Sequence, residues 1–171
     1  MVSNLFDSST NMKSSDWNKG SNLNVQILGD TGTPDEFLDP DGERNAIKLS
    51  LFDSSTSSVI TQVVDNKWRN AQTLTYSDTW PLGGTSNLKL SFYSRGEGVL
   101  EIWSDESLFS TIDLTTDWTE NVVNIILESL IDPVGPQITF RLEQDSTLYL
   151  YHPHITTILD YFGFDEKYLP I

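Results

Sequence analysis

The strongest constraint on the fold is a two-residue alternation of apolar and polar side chains in short segments. In 47–51, Ile and Leu alternate with Lys and Ser, and the turn Pro40-Asp41-Gly42 shortly precedes them. This period belongs to a strand with one buried face and one face in water. No 3.6-residue period persists over a long stretch, so long helices are not predicted.

Short apolar segments recur along the chain between turn clusters rich in Gly, Pro, Ser and Asp. Strands are predicted at 24–28, 46–52, 59–64, 74–76, 88–94, 99–103, 108–114, 122–127, 138–142 and 147–155. We expect 46–52 and 59–64 to pair as a hairpin, and Gly96 and Gly98 to end the strand 88–94. The pattern predicts an all-β chain, folded as an antiparallel jelly-roll β-sandwich of about nine or ten strands.

The length of 171 residues suits one folded domain. We expect an N-terminal arm at 1–21, the β-sandwich at 22–155 and a C-terminal tail at 156–171. The tail carries many apolar side chains, which are unfavourable when exposed to solvent, so it is predicted to form a subunit interface. The residues expected there are Tyr161, Phe162, Phe164, Tyr168 and Leu169.

The charge balance narrows the range of partners. There are 10 Lys and Arg against 25 Asp and Glu, which gives a net charge of −15. Such a surface repels nucleic acid and anionic lipid, so neither is expected as a partner. Absence of cysteine excludes disulfides, and no apolar run is long enough to span a membrane. The first residues lack the pattern of a signal peptide, so the general secretory route is not expected.

Catalysis is not predicted. No Gly-x-Ser-x-Gly motif is present, and the two histidines, His152 and His154, lie on one predicted strand. A glycosidase needs a carboxylate pair across a cleft, and a high count of acids does not define one. The chain is therefore predicted not to be an enzyme.

Two groups of residues have metal-binding chemistry. His152 and His154 point to the same face of a strand and can meet one ion, although ordinary polar residues at a strand end explain them as well. Asp39, Asp41 and Glu43 offer oxygen ligands to a structural Ca²⁺, or else cap the backbone of a turn. No other cofactor is predicted.

Several aromatic side chains are candidates for stacking on sugar rings, since an aromatic ring presents a flat apolar face. The candidates for glycan or partner contact are Trp68, Tyr76, Trp80, Tyr93 and Trp103. Trp80 lies in a turn and is the strongest candidate for exposure. Core packing and protein–protein contact remain alternatives for these rings.

The order of landmarks resembles the carbohydrate-binding-module-like jelly rolls of bacteriophage virion proteins. The landmarks are Asn4-Leu5, Trp17, Pro40-Asp41-Gly42, Leu-Ser-Phe-Tyr-Ser-Arg-Gly at 90–96, Leu-Thr-Thr-Asp-Trp at 114–118 and Leu-Tyr-Leu-Tyr at 148–151. In such modules the tryptophans that correspond to Trp17 and Trp118 usually pack inward.

The resemblance implies a non-enzymatic structural protein of a tailed bacteriophage virion, made in the host cytoplasm. It would be a capsid decoration or cement protein, or a head or tail fibre protein, that docks on other virion proteins through its termini. A homotrimer is the expected state. The alternative is a carbohydrate-binding module that recognises a host surface glycan.

Overall fold

The computed structural model describes residues 4–30, 32–64, 85–127 and 135–160. Within these ranges the chain forms ten strands and one short 3₁₀ helix, Pro34–Phe37. The strands are β1 (Asn18–Lys19), β2 (Leu23–Gln26), β3 (Ile47–Leu51), β4 (Ser58–Val63), β5 (Thr85–Glu97), β6 (Val99–Ser104), β7 (Ser107–Asp113), β8 (Thr119–Leu127), β9 (Gln137–Leu142) and β10 (Thr147–Asp160).

The strands form two antiparallel sheets of five strands each. One sheet has the order β1-β4-β9-β6-β7, and the other has the order β2-β3-β10-β5-β8. Neighbours in each sheet are mostly distant in sequence, as expected when the chain crosses repeatedly between two layers. The predicted all-β jelly-roll sandwich is confirmed.

The core lies between the sheets and follows from the two-residue alternation. In β6 and β9 every second residue is buried, among them Ile102 and Phe140. From the opposite sheet Phe92 meets Phe140 with ring centroids 5.5 Å apart. Burying one such large apolar side chain contributes about 1.5–3 kcal/mol, so this interior is the main source of stability.

The N-terminal segment 4–17 packs onto the sandwich. Phe6, Met12 and Trp17 are buried, with the rings of Phe6 and Trp17 4.8 Å apart. The amide of Leu5 donates to the carbonyl of Ile155 at 2.8 Å. This segment therefore contributes side chains to the core.

The predicted hairpin between 46–52 and 59–64 is wrong. Strand β3 pairs with β2 and β10, whereas β4 pairs with β1 and β9 in the other sheet. The loop between them crosses from one sheet to the other, and Asn22 fixes it by donating to the carbonyls of Asp53 at 2.9 Å and Thr56 at 2.7 Å. Alternation defines the faces of a strand but not its partner, which explains the error.

Several strands are longer than the sequence predicts, β5 and β10 by the most. Gly96 does not end β5, which continues to Glu97 with Gly96 at a φ of 146°. Strand β10 continues to Asp160 instead of ending at Ile155. The predicted strand 74–76 lies outside the described residues. No helix in the described ranges has the length and apolarity to span a bilayer.

Candidate functional site

The solvent side of the sheet β2-β3-β10-β5-β8 carries a group of aromatic and charged side chains. In β10, Tyr149 and Tyr151 alternate with Leu148 and Leu150, which are fully buried. Since successive side chains of a strand point to opposite faces, both tyrosines lie on the outward face. In β5 the same rule places Tyr93 and Arg95 outward, because Phe92 and Ser94 are buried.

Strand register brings these side chains together. Tyr149 of β10 lies opposite Lys48 of β3 on one side and Arg95 of β5 on the other. Tyr151 lies opposite Tyr93. We call this surface the tyrosine face, and its members are Lys48, Tyr93, Arg95, Trp118, Tyr149 and Tyr151.

Within the tyrosine face, Tyr149, Arg95 and Trp118 form a first row, and Arg95 lies between the two rings. Its guanidinium carbon is 3.9 Å from the ring centroid of Tyr149 and 5.2 Å from that of Trp118. Its Nη2 donates to the carbonyl of Glu36 at 2.7 Å. The two rings and this bond fix the guanidinium plane. Its other N–H groups have no acceptor among the described residues, so they remain open to a ligand.

Glu36 joins the loop before β3 to the tyrosine face. Its Oε1 accepts hydrogen bonds from Lys48 Nζ and from the hydroxyl of Tyr149. The bond from Lys48, followed by that from Tyr149, lowers the pKa of Glu36, and the same carboxylate raises the pKa of Lys48. Burial and this bond raise the pKa of Tyr149. The three side chains form one network that orders the row.

The Glu36 network should appear in the acid dependence of stability. The folded-state pKa of Glu36 is below its unfolded value, so its contribution is present above about pH 4.5 and is lost as pH falls through the folded value. We expect Glu36→Gln to lower the free energy of unfolding at pH 7 by about 1 kcal/mol. At pH 3 the difference from wild type should be smaller. Urea unfolding at both pH values measures this.

Glu43→Gln is the matched control, because Glu43 is exposed. It should leave stability at pH 7 within about 0.5 kcal/mol of wild type. Equal effects of the two substitutions would contradict the role given to the Glu36 network.

The second row of the tyrosine face pairs two tyrosines. The rings of Tyr93 and Tyr151 are tilted at 47° with centroids 6.1 Å apart. The hydroxyl of Tyr151 donates to Asp41 Oδ2 at 3.0 Å. Burial and this acceptor raise the pKa of Tyr151. The two rings form a half-buried apolar surface of fixed orientation.

The two histidines lie next to this row, where β10 has an irregularity between Tyr151 and His154. The rings of His152 and His154 are stacked, with centroids 5.9 Å apart. Burial, and then the charge of His152, lower the pKa of His154. Among the described residues no group of three or more His, Asp or Glu side chains can hold a metal ion. The histidine metal site gains no support and stays a prediction.

The acids of the Pro40-Asp41-Gly42 turn serve the backbone. Asp39 Oδ1 accepts from the amides of Asp41 at 2.8 Å and Glu43 at 3.1 Å. This is the turn-capping alternative for these residues. Asp39 Oδ2 is buried and has no partner in the described part of the chain. One orphaned oxygen is too few for Ca²⁺, which takes six to eight ligands, so a structural calcium stays a prediction.

The predicted aromatic candidates divide into three groups. Tyr93 belongs to the tyrosine face. Trp103 lies on the outward side of the other sheet, where its indole donates to Glu101 at 3.2 Å. Trp68, Tyr76 and Trp80 lie outside the described residues, as do the predicted interface residues Tyr161, Phe162, Phe164, Tyr168 and Leu169.

Trp118 corrects one expectation. Trp17 is buried as the resemblance implies, but Trp118 is half-buried on the outward face, over Arg95. Trp118 comes just before β8, outside the strand, so the alternation of side chains along β8 does not predict whether Trp118 points inward or outward. Tyr149 and Tyr151 were not predicted as site residues, although their alternation with Leu148 and Leu150 places them outward.

The fold is similar to that of family 29 carbohydrate-binding modules. A mutant of CBM29-2 complexed with cellulohexaose matches with a TM-score of 0.54 and 9% identity, over 92% of this chain and 90% of that one. Another family 29 module matches with a TM-score of 0.52 and 9% identity, over 92% and 88%. The likeness establishes the fold. No protein-family model and no curated protein matches the chain.

These neighbours support one half of the predicted resemblance. The fold is that of a carbohydrate-binding-module-like jelly roll. Nothing in the comparisons indicates a bacteriophage origin. The virion setting, the homotrimer and the docking on virion proteins therefore stay predictions.

Proposed function

We propose that this protein binds carbohydrate chains, without catalysis, on the tyrosine face. The observation that carries the proposal is the row of Tyr149, Arg95 and Trp118 beside the pair of Tyr93 and Tyr151, all on the solvent side of one sheet. Half-buried rings next to fixed polar groups are suited to a sugar, which has apolar C–H faces and a rim of hydroxyls.

Each part of the face has a role in this binding. Arg95 covers one side of Tyr149 and one side of Trp118, so each of these rings offers a sugar only its other side. Among the described residues no cation lies over Tyr93 or Tyr151, which offer further stacking surface. The free N–H groups of Arg95 donate to sugar hydroxyls. Thr116 and Glu97 line a cleft of 270 Å³ around Arg95 and add groups that accept hydrogen bonds.

The face is also ordered before any ligand arrives. Glu36 fixes Lys48 and Tyr149 by side-chain bonds, and its carbonyl fixes Arg95. Side chains already in place lose little conformational entropy on binding, which favours affinity. The family 29 modules with the same fold add support, since one of them is complexed with cellulohexaose.

Substitution of the rings tests the proposal. We expect Tyr93→Ala and Trp118→Ala each to weaken binding about tenfold or more, because a lost stacking contact is worth about 0.5–1.5 kcal/mol beyond the lost area. Binding is measured by calorimetry with cellohexaose and with soluble glucan, mannan and xylan. Thermal melts confirm that each variant is folded.

Trp103→Ala is the matched control, because Trp103 lies on the outward side of the other sheet. It should leave affinity unchanged. Loss of binding in Trp103→Ala but not in Tyr93→Ala would place the glycan site on the sheet β1-β4-β9-β6-β7 and contradict the proposal. Failure of the wild-type protein to bind any glycan on a broad array would reject the proposal.

A further inference from the structure

A second cavity borders the tyrosine face at Tyr151. It has a volume of 410 Å³, which is within the range of small-ligand sites. Its walls come from four parts of the chain: the N-terminal segment, the two residues after β2, residues 44–47 at the start of β3, and β10 at Tyr151 and His152.

Hydrogen bonds and an ion pair hold these walls in place. Asp30 Oδ2 accepts from Lys13 Nζ at 3.0 Å and from the amide of Ile27 at 2.9 Å, which ties the N-terminal segment to the end of β2. The side-chain amide of Asn4 donates to the carbonyl of Pro153 at 2.9 Å, next to the irregularity of β10. The cavity is therefore formed without a ligand.

One part of the lining is apolar. Ile27 and Leu28 contribute aliphatic groups, and Tyr151 contributes its ring. Ala46 and Ile47 are buried, whereas Leu28 is 47% exposed. Such a surface suits the C–H side of a small ring better than it suits an ion.

The rest of the lining forms hydrogen bonds in both directions. Ser9, Thr10, Asn45 and His152 each donate and accept, and Arg44 donates. Hydroxyl groups of a ligand also donate and accept, so they match this set. Among the residues that the structure describes, no carboxylate lines the cavity, which disfavours a metal ion. The net charge of −15 disfavours an anion.

The backbone at the cavity is unusual. His152 has a φ of 56°, in the left-handed region that non-glycine residues rarely adopt. It lies at the irregularity of β10, and such irregularities re-aim side chains near functional sites. His152, the residue with this unusual backbone, also lines the cavity.

We propose that this cavity is a second sugar-binding site, which takes one neutral pyranose unit. The aliphatic groups and Tyr151 meet the C–H side of the ring, and Ser9, Thr10, Asn45 and Arg44 bond its hydroxyls. The inference rests on the proposed function for the class of ligand. The second site shares only Tyr151 with the tyrosine face.

The test is an NMR titration of the isotope-labelled protein with the methyl glycosides of glucose, mannose, galactose and xylose. At least one should shift the amide signals of Thr10 and Asn45. Leu28→Trp should weaken that binding about tenfold or more, since a large ring at this exposed position fills the cavity. Phe52→Trp is the control, because Phe52 is 70% exposed and does not line the cavity.

The outcomes separate the two sites. Shifts at Thr10 and Asn45 that Leu28→Trp removes and Phe52→Trp keeps support the second site. Shifts at Tyr93 and Arg95 alone, or cavity shifts that Leu28→Trp leaves unchanged, reject the second site and leave the proposed function standing. Absence of any shift with these glycosides and with cellohexaose rejects both.

Discussion

Trp17→Ala is expected to lower the free energy of unfolding by about 3–5 kcal/mol, the usual cost of removing a fully buried aromatic side chain. Trp17 is 1% exposed. Its ring lies 4.8 Å from Phe6 and 6.2 Å from Phe140, and its indole donates to the carbonyl of Ser8 at 3.0 Å. Removal therefore leaves a cavity and breaks one hydrogen bond to the Ser8 carbonyl, which keeps the bond from the amide of Asn11 at 3.1 Å.

Urea unfolding followed by far-ultraviolet circular dichroism measures this loss. Trp103→Ala is the control, because it makes the same substitution at a tryptophan that is only partly buried on an outward face. It should lower the free energy of unfolding by about 1 kcal/mol or less. Trp17→Phe should recover part of the stability. Equal losses for Trp17→Ala and Trp103→Ala would show that segment 4–17 behaves as a detachable arm and adds nothing to the core.

The sequence predicts the strands well because burial on one face leaves a two-residue pattern. The segments 99–103 and 138–142 show it clearly and correspond to β6 and β9. Partners are not predictable in the same way. The Ser-rich loop before β4 has the composition of a hairpin turn, yet it connects two sheets, since composition does not record where a loop leads.

The candidate site is predictable only in part for the same reason. Tyr93 can be selected from the sequence because it alternates with Phe92 in a clear strand. Its neighbour Tyr151 is 58 residues away in the chain and reaches it only through the register of β5 and β10. Arg95 becomes a site residue because two rings flank it, which no local pattern reveals.

Gly96→Ala is expected to be about as damaging as the loss of Trp17, for a different reason. Gly96 has a φ of 146° and lies opposite Leu148 in β10. A Cβ at this position would overlap the backbone carbonyl of Thr147, which cannot move without separating β5 from β10. We expect a loss of about 3–5 kcal/mol, from backbone strain and overpacking together.

Gly42→Ala separates the two causes. Gly42 has a φ of 87°, and no atom lies within 4 Å of the Cβ that alanine would add. Its cost should be the strain alone, about 1–2 kcal/mol. Urea unfolding of both variants gives the difference, and equal costs would mean that the approach of β5 to β10 at Gly96 is not limiting. Because Arg95 and Tyr149 flank this contact, Gly96→Ala should also weaken glycan binding at temperatures where the variant is folded, whereas Gly42→Ala should not.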